Sequence, residues 1–131
     1  MQNDQQIHSA SFAYLLGKLD SDMRDQLREA LLQSGEQKYI DLAGQVHDRG
    51  DESVADELTD VGNALIDRYV RELREIEAAR ARLALGELDR CAECGGEIGF
   101  ARLTANPVAV RCIECQWRFD KTHAHEAAPR M

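Results

Sequence analysis

Apolar residues recur three and four positions apart along most of this chain, the spacing of one helix face. Over residues 5–19 the pattern is weak: Ile7, Phe12, Leu15, Leu16 and Leu19. Asp20, Ser21 and Asp22 are capping residue types, so a second helix is expected to start there. From Met23 the face runs through Leu27, Ala30 and Leu31, then Ile40, Ala43 and Val46. Ser34 and Gly35 interrupt it, and a kink or short break is expected because an interior glycine costs about 1 kcal/mol relative to alanine. "HDRGDES" at 47–53 reads as a turn. Asp48 suits an Asx-turn, Gly50 permits a sharp backbone, and Asp51 or Ser53 can cap the next helix. A long helical pattern then covers 54–85, with Val54, Leu58, Val61, Leu65, Tyr69, Leu73, Ile76, Ala79 and Leu83 on one face. Gly62 is its only breaker, and the first proline is Pro107.

Two long amphipathic stretches joined by a short turn predict an antiparallel helical hairpin. At 1.5 Å per residue the second arm is about 48 Å long, a rod with its tip far from the rest of the protein. Tyr69, Leu73 and Ile76 are expected in its seam. The expected fold class is mainly α: a coiled-coil hairpin followed by a small four-cysteine zinc finger. The finger is expected to hold a short β-hairpin and a terminal helix. The predicted division is 1–19, an N-terminal helical segment; 20–88, the hairpin with its acidic tip at 48–53; 89–119, the finger; and 120–131, a C-terminal tail.

Aromatic residues make up 5% of the 131, which suits helices better than a β-sandwich core. The formal net charge of −8 argues against non-specific nucleic-acid binding, which draws on Lys and Arg. A basic protein surface or a metal-bearing pocket is the better electrostatic partner. No run of about 18 apolar residues predicts a membrane span. The N-terminal sequence has no secretion-signal pattern, so a cytoplasmic protein is expected. There, paired cysteines bind metal or do redox work more often than they form structural disulfides.

All four cysteines lie in "CAECGGEIGFARLTANPVAVRCIEC". Cys91 and Cys94 form one C-x-x-C pair, Cys112 and Cys115 another, and each pair can take two corners of a tetrahedron. Four thiolates match one closed, structural Zn²⁺ site with no position open for catalysis. Gly95 and Gly96 let backbone N–H groups turn toward the sulfurs, which a net-negative zinc–thiolate centre needs. "EIGFARL" and "VAVRC" are β-type pieces for a small hairpin, and Trp117 and Phe119 are placed to pack on it. In the finger Arg102, Arg111 and Arg118 face Glu93, Glu97 and Glu114 in number, so direct sequence-specific DNA binding is not expected.

This stretch resembles the zinc finger of the DksA/TraR family of bacterial transcription regulators, C-x-x-C-G-x-x-I-x-x-x-R-L, then A-x-P, then C-x-x-C. Ile98, Arg102, Leu103, Ala105 and Pro107 match it along with the cysteines. The 48–53 turn is similar to the family's acidic D-x-x-D-x-A tip, with Ser53 in place of the alanine, and the resemblance covers roughly residues 20–120. It implies a monomeric partner of bacterial RNA polymerase that performs no catalysis. Its coiled coil would enter the secondary channel, and Asp48, Asp51 and Ser53 would reach the catalytic region and alter open-complex stability. In longer members guanosine tetraphosphate, the alarmone of the stringent response, is gripped near the finger–coil junction. The matching positions here are Arg68, Glu75, Asn106 and Gln116, of which only Arg68 is basic, so weak or no alarmone dependence is expected.

Other readings compete at each point. Asp48 and Asp51 can simply build the turn and cap the helix. Asp56, Glu57 and Asp60 read as a solvated helix face, and His123 and His125 as part of a tail rather than a ligand pair. For the whole chain the alternatives are a zinc-stabilised coiled-coil adaptor for another protein, or a thiol redox protein.

Overall fold

The computed structural model describes residues 2–123, with the side chains of 8–50 and 52–123. Six helices span the described residues: α1 (Gln2–Leu32), α2 (Gln37–Ala43), α3 (Asp51–Glu57), α4 (Ala64–Ala84), α5 (Phe100–Ala105) and α6 (Ile113–Thr122). Most of the predicted tail, His125 included, lies outside the described residues.

α1 and α4 are the shaft, and they run antiparallel. Phe12 and Leu16 of α1 share a buried cluster with Ala79 of α4, while Leu27 and Leu31 share another with Ile66, Val70 and Leu73. α1 is longer than expected. Asp20, Ser21 and Asp22 do not start a helix, because α1 continues through them for 31 residues. Asp20 is instead used sideways: its carboxylate pairs with Arg24 at 3.0 Å and reaches Arg80 of α4 at 3.7 Å. At 1.5 Å per residue α1 is about 46 Å long.

The upper half departs from a simple hairpin. The first arm ends at Leu32, and Gly35, at φ +78°, turns the chain back on itself. The second arm is not one helix over 54–85. α3 ends at Glu57, and the loop through Asp60 (φ +57°) and Gly62 (φ +82°) separates it from α4. Positive φ cannot continue a right-handed helix, and glycine reaches it without the steric cost other residues meet. Asn63 then restarts the helix, its Oδ1 accepting from the N–H groups of Leu65 and Ile66. The restart shifts the helical phase. Leu65 is exposed although the pattern put it in the seam, and Ile66 and Val70 are buried in its place.

α2 and α3 therefore fold back along the shaft, α2 against α1 and α3 against α4. Leu42, Ala43, Val46, Val54, Ala55 and Leu58 complete the upper cluster with Leu27, Leu31, Ile66 and Leu73. Burying a Val or Leu side chain contributes about 1.5–3 kcal/mol each, so a four-helix cap holds far more apolar surface than a two-helix seam.

The lower cluster fixes the finger to the shaft. Leu88, Cys91, Ile98, Leu103, Ala109 and Cys115 pack with Phe12, Leu16 and Ala79. The expected β-hairpin does not form. Arg90 and Glu97 make one isolated antiparallel bridge, and "EIGFARL" instead turns at Gly99 (φ +104°) into α5. Ala109 bonds back to the Asn106 carbonyl in a turn, and a backbone bond from the Ala92 N–H to the Val110 carbonyl joins the two cysteine-bearing segments. The expected terminal helix is α6.

Candidate zinc centre and acidic turn

The two C-x-x-C pairs converge. The four sulfurs of Cys91, Cys94, Cys112 and Cys115 all lie within 4.8 Å of one another, and Cys94 Sγ and Cys112 Sγ are 3.9 Å apart. Zn–S bonds of about 2.3 Å in a tetrahedron put neighbouring sulfurs about 3.8 Å apart, so the cluster has the size of a four-thiolate zinc site. Of the two glycines expected to turn N–H groups toward the sulfurs, Gly96 does so and Gly95 does not. Gly96 N–H donates to Cys94 Sγ at 3.4 Å, and Gly95, at φ +74°, donates its N–H to the Cys91 carbonyl to close the knuckle.

The sulfurs are not equivalent. Cys91 and Cys115 are buried in the lower cluster, whereas Cys94 is exposed. Backbone N–H groups of Cys94 and Cys112 aimed at Cys91 hold its thiol down at about 6. The adjoining Cys112 sulfur, with burial, pushes the Cys115 thiol up to about 12. Four thiolates this close repel one another and a divalent cation among them offsets that repulsion, so the cluster fits one structural zinc. Zinc there supplies cross-linking of the two segments.

Three arginines brace the centre. Arg82, in the last turn of α4, donates to the carbonyls of Arg90 (2.7 Å), Leu88 (3.3 Å) and Ala109 (3.4 Å), tying both cysteine-bearing segments to the shaft. Arg102 Nε donates to the Arg111 carbonyl at 2.9 Å, just before Cys112. Arg111 pairs with Glu93 at 3.3 Å and lies 3.8 Å above the Phe119 ring, which stacks on His123. Thus Phe119 packs on the module as expected, whereas Trp117 stays exposed. Arg82 was not singled out from the sequence, where a last-turn arginine is an ordinary helix terminus.

The acidic turn is not at the end of the shaft. Arg24, buried on α1, donates to the carbonyls of Val46 and of Arg49, the latter at 2.7 Å. His47 Nε2 lies 2.9 Å from Asp25 Oδ1. Arg24 is eight residues before Leu32, so this segment sits about 12 Å below the end of α1. Across the shaft, Arg49, Gly50, Ser53 and Asp56 share a cleft with Glu77 of α4.

Asp48 is exposed in the turn, its N–H bonded to the Gln45 carbonyl. Asp51 is the first residue of α3, and Gly50, at an ordinary φ of −65°, is the N-cap without any side-chain capping bond. The N-cap position thus falls on Gly50, and Ser53 lies inside α3. Ser53 Oγ is held by Arg49 at 2.6 and 3.1 Å, and Arg49 also pairs with Glu57. Asp56 meets Arg74 at 3.2 Å. Arg68, on the second turn of α4, pairs with Glu72 at 3.1 Å. It lies about 24 Å along the helix from its finger end, while Asn106 ends α5 and Gln116 lies on α6. The structure does not gather these four positions into one pocket.

A helical shaft ending in a four-cysteine finger is the class that this geometry defines. The sequence model of the prokaryotic DksA/TraR C4-type zinc finger matches residues 86–121. A stretch of 50 residues is 40% identical to the RNA polymerase-binding transcription factor DksA of Haemophilus influenzae, covering 38% of this chain and 34% of that protein. The match thus spans about a third of the relative's length. The structure of transcription factor DksA2 from Pseudomonas aeruginosa aligns with a TM-score of 0.55 and 25% identity, over 94% of this chain and 88% of that one. Residues 86–121 thus carry a zinc finger of the DksA/TraR type, on a chain whose fold is similar to that of DksA2.

Proposed function

We propose that this protein is a transcription regulator that binds bacterial RNA polymerase and performs no catalysis. The observation that carries the reading is the DksA/TraR-type finger at 86–121, docked on an antiparallel helical shaft of DksA2-like fold. In this reading the finger and the base of the shaft rest on the enzyme surface. The helical end enters the secondary channel, and Asp48, Asp51 and Ser53 modulate open-complex stability. The protein acts as a cytoplasmic monomer.

The charge balance supports a protein partner rather than DNA. The chain carries −8 overall, and the arginines that brace the finger are engaged with carbonyls, Glu93 and Phe119. Guanosine tetraphosphate has little to hold it here, since Arg68 is paired with Glu72 and Glu75 repels phosphate.

The test is the lifetime of the open complex at a ribosomal promoter with purified polymerase, without alarmone. Wild type is expected to shorten it, and folded, zinc-loaded Asp51→Asn to leave it unchanged. If neither alters the lifetime and neither competes with a channel-binding factor, the reading fails. The position of the acidic turn beside the shaft favours one second reading, a zinc-stabilised helical adaptor for a different protein. Binding without any dependence on Asp48 or Asp51 would support it.

A further inference from the structure

Three observations about residues 33–63 bear on one another. The lobe joins the shaft at two glycines, Gly35 and Gly62, both at positive φ. A Cβ added at either would meet nothing within 4 Å. Its inner residues Ala43, Val46, Val54 and Leu58 lie on the same three–four pattern that continues the faces of α1 and α4. Lastly, one buried side chain, Arg24, ties the carbonyls of Val46 and Arg49 to the shaft.

We propose that residues 33–63 form a hinged lobe that swings out on Gly35 and Gly62, converting the folded-back turn into the end of an extended rod. With Gly35 and Gly62 at helical φ, and Glu36, Asp60 and Asn63 following them out of their present extended or left-handed conformations, α1 runs on into α2, and α3 into α4. Ala43 and Val46 then face Val54 and Leu58 across a two-helix seam. That seam buries less apolar surface than the four-helix cap, so the folded-back form dominates the free protein. A partner that binds the extended form better draws it out by that difference in affinity. Arg24 holds the lobe down, and swinging out breaks its bonds to both carbonyls. That the motion delivers Asp48 and Asp51 to a polymerase channel rests on the function proposed above. The hinge itself does not.

The test is a distance. Probes at the exposed positions 52 and 87, attached through encoded non-cysteine side chains, leave the zinc ligands intact. In the folded-back form they are about 15–20 Å apart, and in the extended form about 50 Å. Alanine disfavours positive φ and favours helix, so Gly35→Ala and Gly62→Ala are each expected to raise the extended population about tenfold. The triple variant with Arg24→Gln is expected to show mainly the long distance. Gly17→Ala, inside α1, leaves the distance unchanged. A triple variant that is zinc-loaded and fully helical yet keeps the short distance overturns the proposal.

Adding polymerase to wild type is the second arm. Lengthening on binding supports the hinge as the docking motion, and binding with the short distance retained refutes it as such. Absence of polymerase binding counts against the proposed function alone, because the free-protein distances stand independently.

Discussion

Arg82→Ala is expected to loosen the zinc finger without touching a ligand. The guanidinium holds three carbonyls, two before Cys91 and one before Cys112. A hydrogen bond to a charged group contributes about 1.5–3 kcal/mol net. The bonds at 3.3 and 3.4 Å lie beyond the usual range for N–H···O, so the 2.7 Å bond to the Arg90 carbonyl carries most of the effect. About 2 kcal/mol in all is a reasonable total, discounted because Arg82 is only partly buried. If the finger must lift from the shaft before zinc leaves, that energy speeds release about 30-fold. The assay is transfer of zinc to a chromophoric chelator in excess, followed in time. Arg90→Ala is the control: it removes an exposed pair with Glu87 but keeps the carbonyl, and changes little. Release from Arg82→Ala at the wild-type rate, with an unchanged unfolding midpoint, would refute the clamp.

Leu73→Ala opens the upper cluster and is expected to cost about 2–5 kcal/mol in denaturant unfolding, with zinc retained by the finger. Zinc lost together with the upper cluster would show that the two cores are one. Asn63→Ala removes the N-cap of α4 and costs about 1 kcal/mol, read as a lowered melting temperature. Zinc loading at pH 7.5 is expected to release fewer than four protons, since Cys91, held at about 6, is already a thiolate. Cys115, pushed up to about 12, must still give one up. As pH falls through 6, zinc must also displace the Cys91 proton, so affinity drops more steeply there. Calorimetry in buffers of different ionisation heat counts the protons, and a value of four at pH 7.5 contradicts the assignment.

The finger was legible because its signals are short-range. Two C-x-x-C pairs and the glycines after the first dictate a knuckle whatever the rest of the chain does, and Ile98 and Leu103 fall where the lower cluster needs them. The β-hairpin expectation failed because "EIGFARL" is too short to decide between strand and helix by pattern. Gly99, with Leu103 buried behind it, settled it as α5. The shaft was legible in kind but not in path. A three–four pattern states which residues share a face, not which partner that face meets. Val46 and Val54 serve an extended seam or a folded-back cap equally well. Gly35 and Gly62 marked the breaks, yet their conformation is set by burial of Leu42 and Leu58, which is a tertiary effect.

The division into two clusters also bears on how such a chain could act at a distance. Zinc, Arg82 and the packing of Phe12 and Leu16 fix the finger and the base of the shaft as one body. The upper cluster contains no metal ligand, and the lobe rejoins the shaft through two glycine-containing turns. Rigidity at the base is what would make a rearrangement above it useful. If the finger itself moved, swinging out residues 33–63 would not define where the acidic turn ends up. With the base fixed, a change confined to the two glycine-containing turns displaces the acidic turn by about 30 Å along a known axis. Weakening the base and weakening the lobe should therefore fail differently. Arg82→Ala should blur where the turn is delivered, broadening the 52–87 distance distribution, whereas Arg24→Gln should shift its mean.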